Sequence, residues 1–298
     1  MKWNRVVQAV CILLLLTACT SGSTSKPISA STVTPSCPEH VQPSNHPGSM
    51  YLLIGPVVGG LPLGRLNFRT GCLTLIAPQM ATIETNGKQV VGDDVSTPGI
   101  PTIGEVIGST LHPVSPSLRG TMPAVSADGR IATIHLTYPG YKLDVWNPAT
   151  GKNTTLYESA TLLQRPQWGP HGSILLLRGR RKRTQLVSID EHGSPHVLLA
   201  APDARWMDLS SHGLVDVTDY SSTTTVYNLA TREQHVLHGW YGMGWDPSGS
   251  TLVLATMTGR FGFSSSPSFG SVSNVLQLPR PGFVLGMAWV SQPSTRTG

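Results

Sequence analysis

Apolar residues recur along this chain with a long period as well as a short one. Five times an apolar residue opens a polar turn that ends in glycine four positions later, at residues 83–87, 125–129, 168–172, 209–213 and 245–249. The five glycines are 42, 43, 41 and 36 residues apart. Each turn leads into an apolar run of strand length, at 89–91, 131–136, 174–177, 214–217 and 252–255. Asn86-Gly87 and Asp128-Gly129 are hairpin signals, because glycine supplies the positive φ that such turns require. A second series of strands and turns runs half a period out of phase, at 68–71, 106–109, 145–151, 189–193 and 227–231. Two hairpin turns per repeat make four strands per repeat. Four strands in about forty residues are the signature of a propeller blade.

The pattern therefore predicts an all-β fold, a β-propeller of six four-stranded blades, with seven as the alternative. Ile83, Val125, Trp168, Leu209, Trp245 and Trp289 mark six equivalent positions. Residues 50–76 supply strands for a first blade but no inner strand, so the strand near 284–291 is expected to complete blade one and close the ring. Closure leaves only short, protected edges. The recurring tryptophans are expected to pack between blades. Residues 166–177 (Pro-Gln-Trp-Gly-Pro-His-Gly-Ser-Ile-Leu-Leu-Leu) and 244–254 (Gly-Trp-Asp-Pro-Ser-Gly-Ser-Thr-Leu-Val-Leu) resemble the repeat of TolB-type, WD40-like propellers. Residues 144–152 resemble that family's turn between the third and fourth strands. The resemblance is good over 81–256, and it implies architecture without bringing an activity with it.

The first residues follow a different pattern. Lys2 and Arg5 precede an apolar run from Val6 to Leu16 that is too short to span a membrane. Leu16-Thr17-Ala18-Cys19 then closes it with small residues, the form of a secretory signal. This stretch resembles the lipobox of bacterial lipoproteins. The resemblance implies a signal peptide over 1–18 and a diacylglyceride on Cys19, which becomes the new N-terminus. Two acyl chains hold a protein stably on a membrane where one would not. Residues 19–47 are rich in Ser, Thr and Pro and read as a flexible tether, 48–292 as the propeller domain and 293–298 as a tail. The expected location is the cell envelope, on the extracytoplasmic side of an outer or cytoplasmic membrane, as a monomer. Export places Cys37 and Cys72 in an oxidising compartment, where they are expected to form a disulfide.

Composition narrows the function classes. Charged residues make up 12% of the chain, with 31 Gly and 24 Pro, which suits short strands and many turns. Of 21 Lys and Arg, two fall in residues 1–18, which hold no acid; 19 then face 16 Asp and Glu, a net +3. That excess is too small for a nucleic-acid binder. There is no G-x-S-x-G, H-E-x-x-H, phosphate loop or C-x-x-C, so no catalytic residue, metal site or cofactor is expected. Asp93-Asp94 reads as a solvated loop, and Asp216 has no nucleophile beside it in the pattern. The inner-strand positions read as mostly apolar, with Asp208 and Asp246 as nearby exceptions.

One cluster departs from this neutral background. Arg178, Arg180, Arg181, Lys182 and Arg183 fall in the turn between the second and third strands of one blade. In a propeller such turns share a face with the loops that join consecutive blades. Those loops hold Arg119, Arg165, Arg205, Trp206, His238, Trp240 and Tyr241. The expectation is a basic, aromatic rim that docks a protein or another anionic envelope partner, making the protein a binding or scaffold lipoprotein without enzymatic activity. The alternative is an exported propeller enzyme, a lyase or hydrolase, with its site at the central channel mouth.

Overall fold

A computed structural model describes residues 37–55, 61–96, 99–266, 268–278 and 284–291. The segment read as a signal peptide, residues 1–18, and Cys19 lie outside the described residues. The described chain is a six-bladed propeller of four-stranded antiparallel blades. Blades three to six are continuous in sequence: blade three is Thr121–Val125, Ile131–Thr137, Gly140–Asn147 and Lys152–Ser159; blade four is Leu163–Trp168, Ile174–Arg178, Gln185–Ile189 and Pro195–Ala200. Blade five is Ala204–Leu209, Leu214–Asp219, Thr223–Asn228 and Gln234–His238; blade six is Tyr241–Trp245, Thr251–Ala255, Arg260–Ser265 and Ser273–Gln277.

Blades one and two share the strand Cys72–Thr85, which turns from one blade into the next without a loop. Its first part pairs with Leu61–Asn67 as the outer strand of blade one. Its last part pairs with Val90–Asp94 as the inner strand of blade two, followed by Thr102–Ile107 and Thr110–Pro113. The C-terminal strand Val284–Val290 pairs antiparallel with Ser49–Ile54, Trp289 opposite Met50, and so completes blade one as the sequence pattern predicts. The six inner strands neighbour one another around the ring, the last against the first.

The apolar runs are continuous because both faces of a blade are covered. In Ile174–Leu177, Ile174 and Leu176 pack toward blade three, while Leu175 and Leu177 pack toward blade five. Six buried clusters result, one at each interface between adjacent blades. Trp168, Trp245 and Trp289 pack into three of them. The indoles of Trp168 and Trp289 donate to the carbonyls of Ala124 and Pro47, both within 2.9 Å.

The tether read over 19–47 is corrected at its end. From Cys37 onward the chain is packed on blade one: Glu39–His40 pairs with Leu73 and Cys72, and Val41 is buried. His46 lies among Phe68, Phe263 and Trp289. Cys37 and Cys72 form a disulfide, Cα–Cα 5.5 Å. Edge pairing, the disulfide and this aromatic contact order a segment whose composition alone would leave it loose.

Candidate functional site

The inner strands are bulged at a recurring place. The ladder slips between Met80 and Ile83, Thr121 and Ala124, Gln164 and Gln167, Ala204 and Trp206, and Gly242 and Gly244. Bulges re-aim side chains, and those of blades two, three and four bring Thr82, Met122 and Arg165 around one small void. Met122 and Arg165 sit in two of them with φ of 52° and 53°, a left-handed backbone that favours glycine. Arg165 is thereby taken off the rim where the sequence pattern puts it. It is buried in the channel, its Cζ 3.4 Å above the ring of Trp206.

Above Arg165 the channel opens into a cavity of about 270 Å³. Its wall holds Glu84, Gln167, Asp208 and Gly244, and first-to-second-strand turns carrying Ser126, Ser210 and Asp246 form its mouth. Gln167, Asp208 and Gly244 each come one residue before a landmark of the repeat, Trp168, Leu209 or Trp245. Successive strand residues point to opposite sides, so an apolar landmark facing one blade puts its predecessor on the other side, near the axis. Gly244 leaves room for Asp208: a Cβ there would stand 3.1 Å from Asp208 Oδ2 and 2.9 Å from Met287 Cε. The inner wall is therefore more polar than the pattern predicts.

The acids around this cavity hold their protons strongly. Glu84 accepts a 2.6 Å hydrogen bond from Gln167 Nε2, yet burial pushes its pKa up to about 7 against the opposing pull of that bond and of Arg165. Asp208 stands directly across the ladder from Asp216. Burial first, then the nearby Glu84 and Asp216 charges, raise it well above the usual carboxylate range. Asp216 is fully buried, neither oxygen makes a well-aligned hydrogen bond, and burial pushes it up to about 8 although the Trp245 indole lies beside it. Asp93, read from sequence as part of a solvated loop, is 1% exposed and accepts bonds from the Thr82 amide and hydroxyl. Its pKa too is raised by burial. Burial lowers Arg165 to about 10, while Glu84, Asp208 and Asp93 hold its charge in place. Among the described residues no group of three or more His, Cys, Asp and Glu could hold a metal ion.

The opposite face carries the other basic residues of the expected rim, in three separate places. Arg119 is exposed beside the Ile100 carbonyl. Arg205 and Tyr241 join Trp206 around a small apolar cavity of about 120 Å³. Trp240 is half-buried against the blade five and six core and so is a packing residue rather than a rim contact. The remaining arginines define a groove of about 1000 Å³ between blades three and four, lined by Arg178, Arg180 and Arg183 with Tyr138, Tyr141 and Tyr157. Arg178 donates to Tyr157 Oη and Gln185 Oε1, each at 3.1 Å, and Arg180 donates to Tyr141 Oη at 3.1 Å. Glu158 also lines the groove but is paired with Lys142 at 2.6 Å. Arg181 and Lys182 stand exposed at the hairpin tip.

No family model matches the chain, and no curated protein sequence matches it. Among solved structures it is similar to TolB from Acinetobacter baumannii, at 15% identity and a TM-score of 0.66, over 82% of this chain and 67% of that one. It is also similar to a chain of a nidogen/laminin complex, at 12% identity and a TM-score of 0.63, over 83% of this chain and all of that one. A protein from Lactobacillus plantarum aligns at 12% identity with a TM-score of 0.50, over 78% of this chain and 82% of that one. At these identities the likeness is one of fold alone: the described domain has a β-propeller fold similar to these structures.

Proposed function

We propose that this protein is an extracytoplasmic lipoprotein, held to a membrane by a diacylglyceride on Cys19, whose propeller is a binding module for a negatively charged envelope partner. The observation that supports the reading best is the groove between blades three and four. The guanidiniums of Arg178 and Arg180 are held by neutral hydroxyl and amide groups, and the groove's carboxylate is already paired with a lysine. Charge without an internal partner, on side chains already oriented, suits an anion supplied from outside. Two results test the reading. Metabolic labelling with a palmitate analogue should mark the wild type and leave Cys19→Ala unmarked; equal labelling removes the anchor. Arg180→Ser/Arg183→Ser should weaken recovery of the cross-linked envelope complex at least fivefold while Glu84→Gln leaves it unchanged; the reverse pattern moves the site to the channel.

The convergence of Glu84, Asp208 and Gln167 on one cavity, with the Arg165 charge coupled to both acids from beneath, favours a second reading, an exported hydrolase or lyase working at the channel mouth. A carboxylic acid that keeps its proton near neutral pH can donate it to a leaving group. On that reading Glu84→Gln abolishes turnover and the arginine pair does not matter.

A further inference from the structure

We infer that the groove between blades three and four is a binding site for an acidic polysaccharide, a sugar backbone bearing carboxylate groups. The inference rests on the binding-module reading above and names the class of its partner. The groove, at about 1000 Å³, is far larger than a single anion needs. Its cations lie at two depths: Arg178 is half-buried in the wall, while Arg180 and Arg183 stand near the opening. A guanidinium has five N–H donors, and Arg178 spends only two on Tyr157 and Gln185. Three N–H donors remain for a carboxylate held inside the groove.

The lining adds what a sugar requires beyond charge. Tyr138 is fully exposed at the lip and Leu136 is 75% exposed beside it. Apolar surface of this kind packs against the C–H faces of sugar rings, while the hydroxyls of Tyr141 and Tyr157 stand deeper as hydrogen-bonding groups. A bilayer surface is broad and flat. It would meet Arg181 and Lys182 at the hairpin tip and leave the recessed Arg178 out of reach. The depth of the cations therefore favours an extended polymer strand over lipid headgroups.

The test uses the full-length lipoprotein in detergent micelles, titrated with oligogalacturonate, with uncharged dextran of equal length, and with glycerophosphoglycerol, the soluble headgroup of phosphatidylglycerol. Oligogalacturonate should bind, dextran should not, and affinity should fall about tenfold or more between 50 and 200 mM salt as screening shortens. Arg180→Ser/Arg183→Ser should cost at least tenfold and Tyr138→Ser about threefold, with melting temperatures unchanged because all three residues are exposed. Arg181→Ser/Lys182→Ser at the tip should change affinity less than twofold. A tip variant that loses as much as the groove variant, or headgroup binding without oligogalacturonate binding, overturns the polysaccharide assignment and leaves the anionic-partner reading standing. Equal binding of dextran and oligogalacturonate overturns it as well. Binding to none of these anions overturns both.

Discussion

Truncation before Pro281 should abolish the cooperative unfolding transition. The strand it removes, Val284–Val290, is the inner strand of blade one. Val284, Met287, Ala288, Trp289 and Val290 are all at most 7% exposed. Burying apolar side chains of this size contributes about 1.5–3 kcal/mol each, so the strand supplies on the order of 10 kcal/mol. The whole margin of a domain is about 5–15 kcal/mol. Loss of the strand also leaves one edge of Ser49–Ile54 unpaired and opens the interface where Trp289 meets Phe68 and Phe263. Trp289→Ala alone keeps the ladder, so it should cost about 3–5 kcal/mol and lower the melting temperature without destroying cooperativity. A truncated protein that melts like the wild type would show that the ring does not depend on this closure.

The closure and the repeat were legible because both rest on backbone periodicity and turn chemistry. Glycines at 87, 129, 172, 213 and 249 mark the same hairpin in successive blades, and the half-period series falls on the turns between third and outer strands. The channel was harder to read. In blade two the residues closing the first hairpin are Thr85 and Val90, with four between them; in blades three to five the equivalent pairs have five between them. The landmark equivalent to Trp168 is therefore Thr85, two residues beyond Ile83, and Glu84 takes the place of Gln167 and Asp208. A hairpin one residue shorter hides that correspondence from any fixed spacing rule. Arg165 escaped for a related reason, since a bulge moves a side chain without leaving a mark in composition. The ordered segment from Cys37 was hidden because Val41 and His46 are isolated in polar sequence and acquire partners only from distant blades.

Stability should fall as pH rises from about 5 to 9. Asp216 is pushed up to about 8 and Glu84 to about 7 in the folded protein, with Asp208 raised as well. Unfolded, these carboxyls titrate near 4. Between the two values the folded state binds more protons than the unfolded state, so unfolding releases protons and stability declines with each step in pH. The penalty is absent below pH 4 and complete above about pH 8. Asp216→Asn removes the buried charge and keeps the shape. It should stabilise the protein at pH 9 by about 2 kcal/mol, roughly 4–8 °C, and change little at pH 4. A flat wild-type profile from pH 5 to 9, or an Asn variant that gains nothing at high pH, would show that these acids are ionised in the folded state without cost.

The most direct measurement of where the protein binds is a photo-reactive amino acid placed on either face of the ring in living cells. Tyr138 stands at the lip of the arginine groove and Ser211 at the channel mouth on the other side. The binding-module account predicts envelope adducts from position 138, sensitive to Arg180→Ser/Arg183→Ser, and few from position 211. Adducts confined to position 211 and indifferent to the arginines would contradict it.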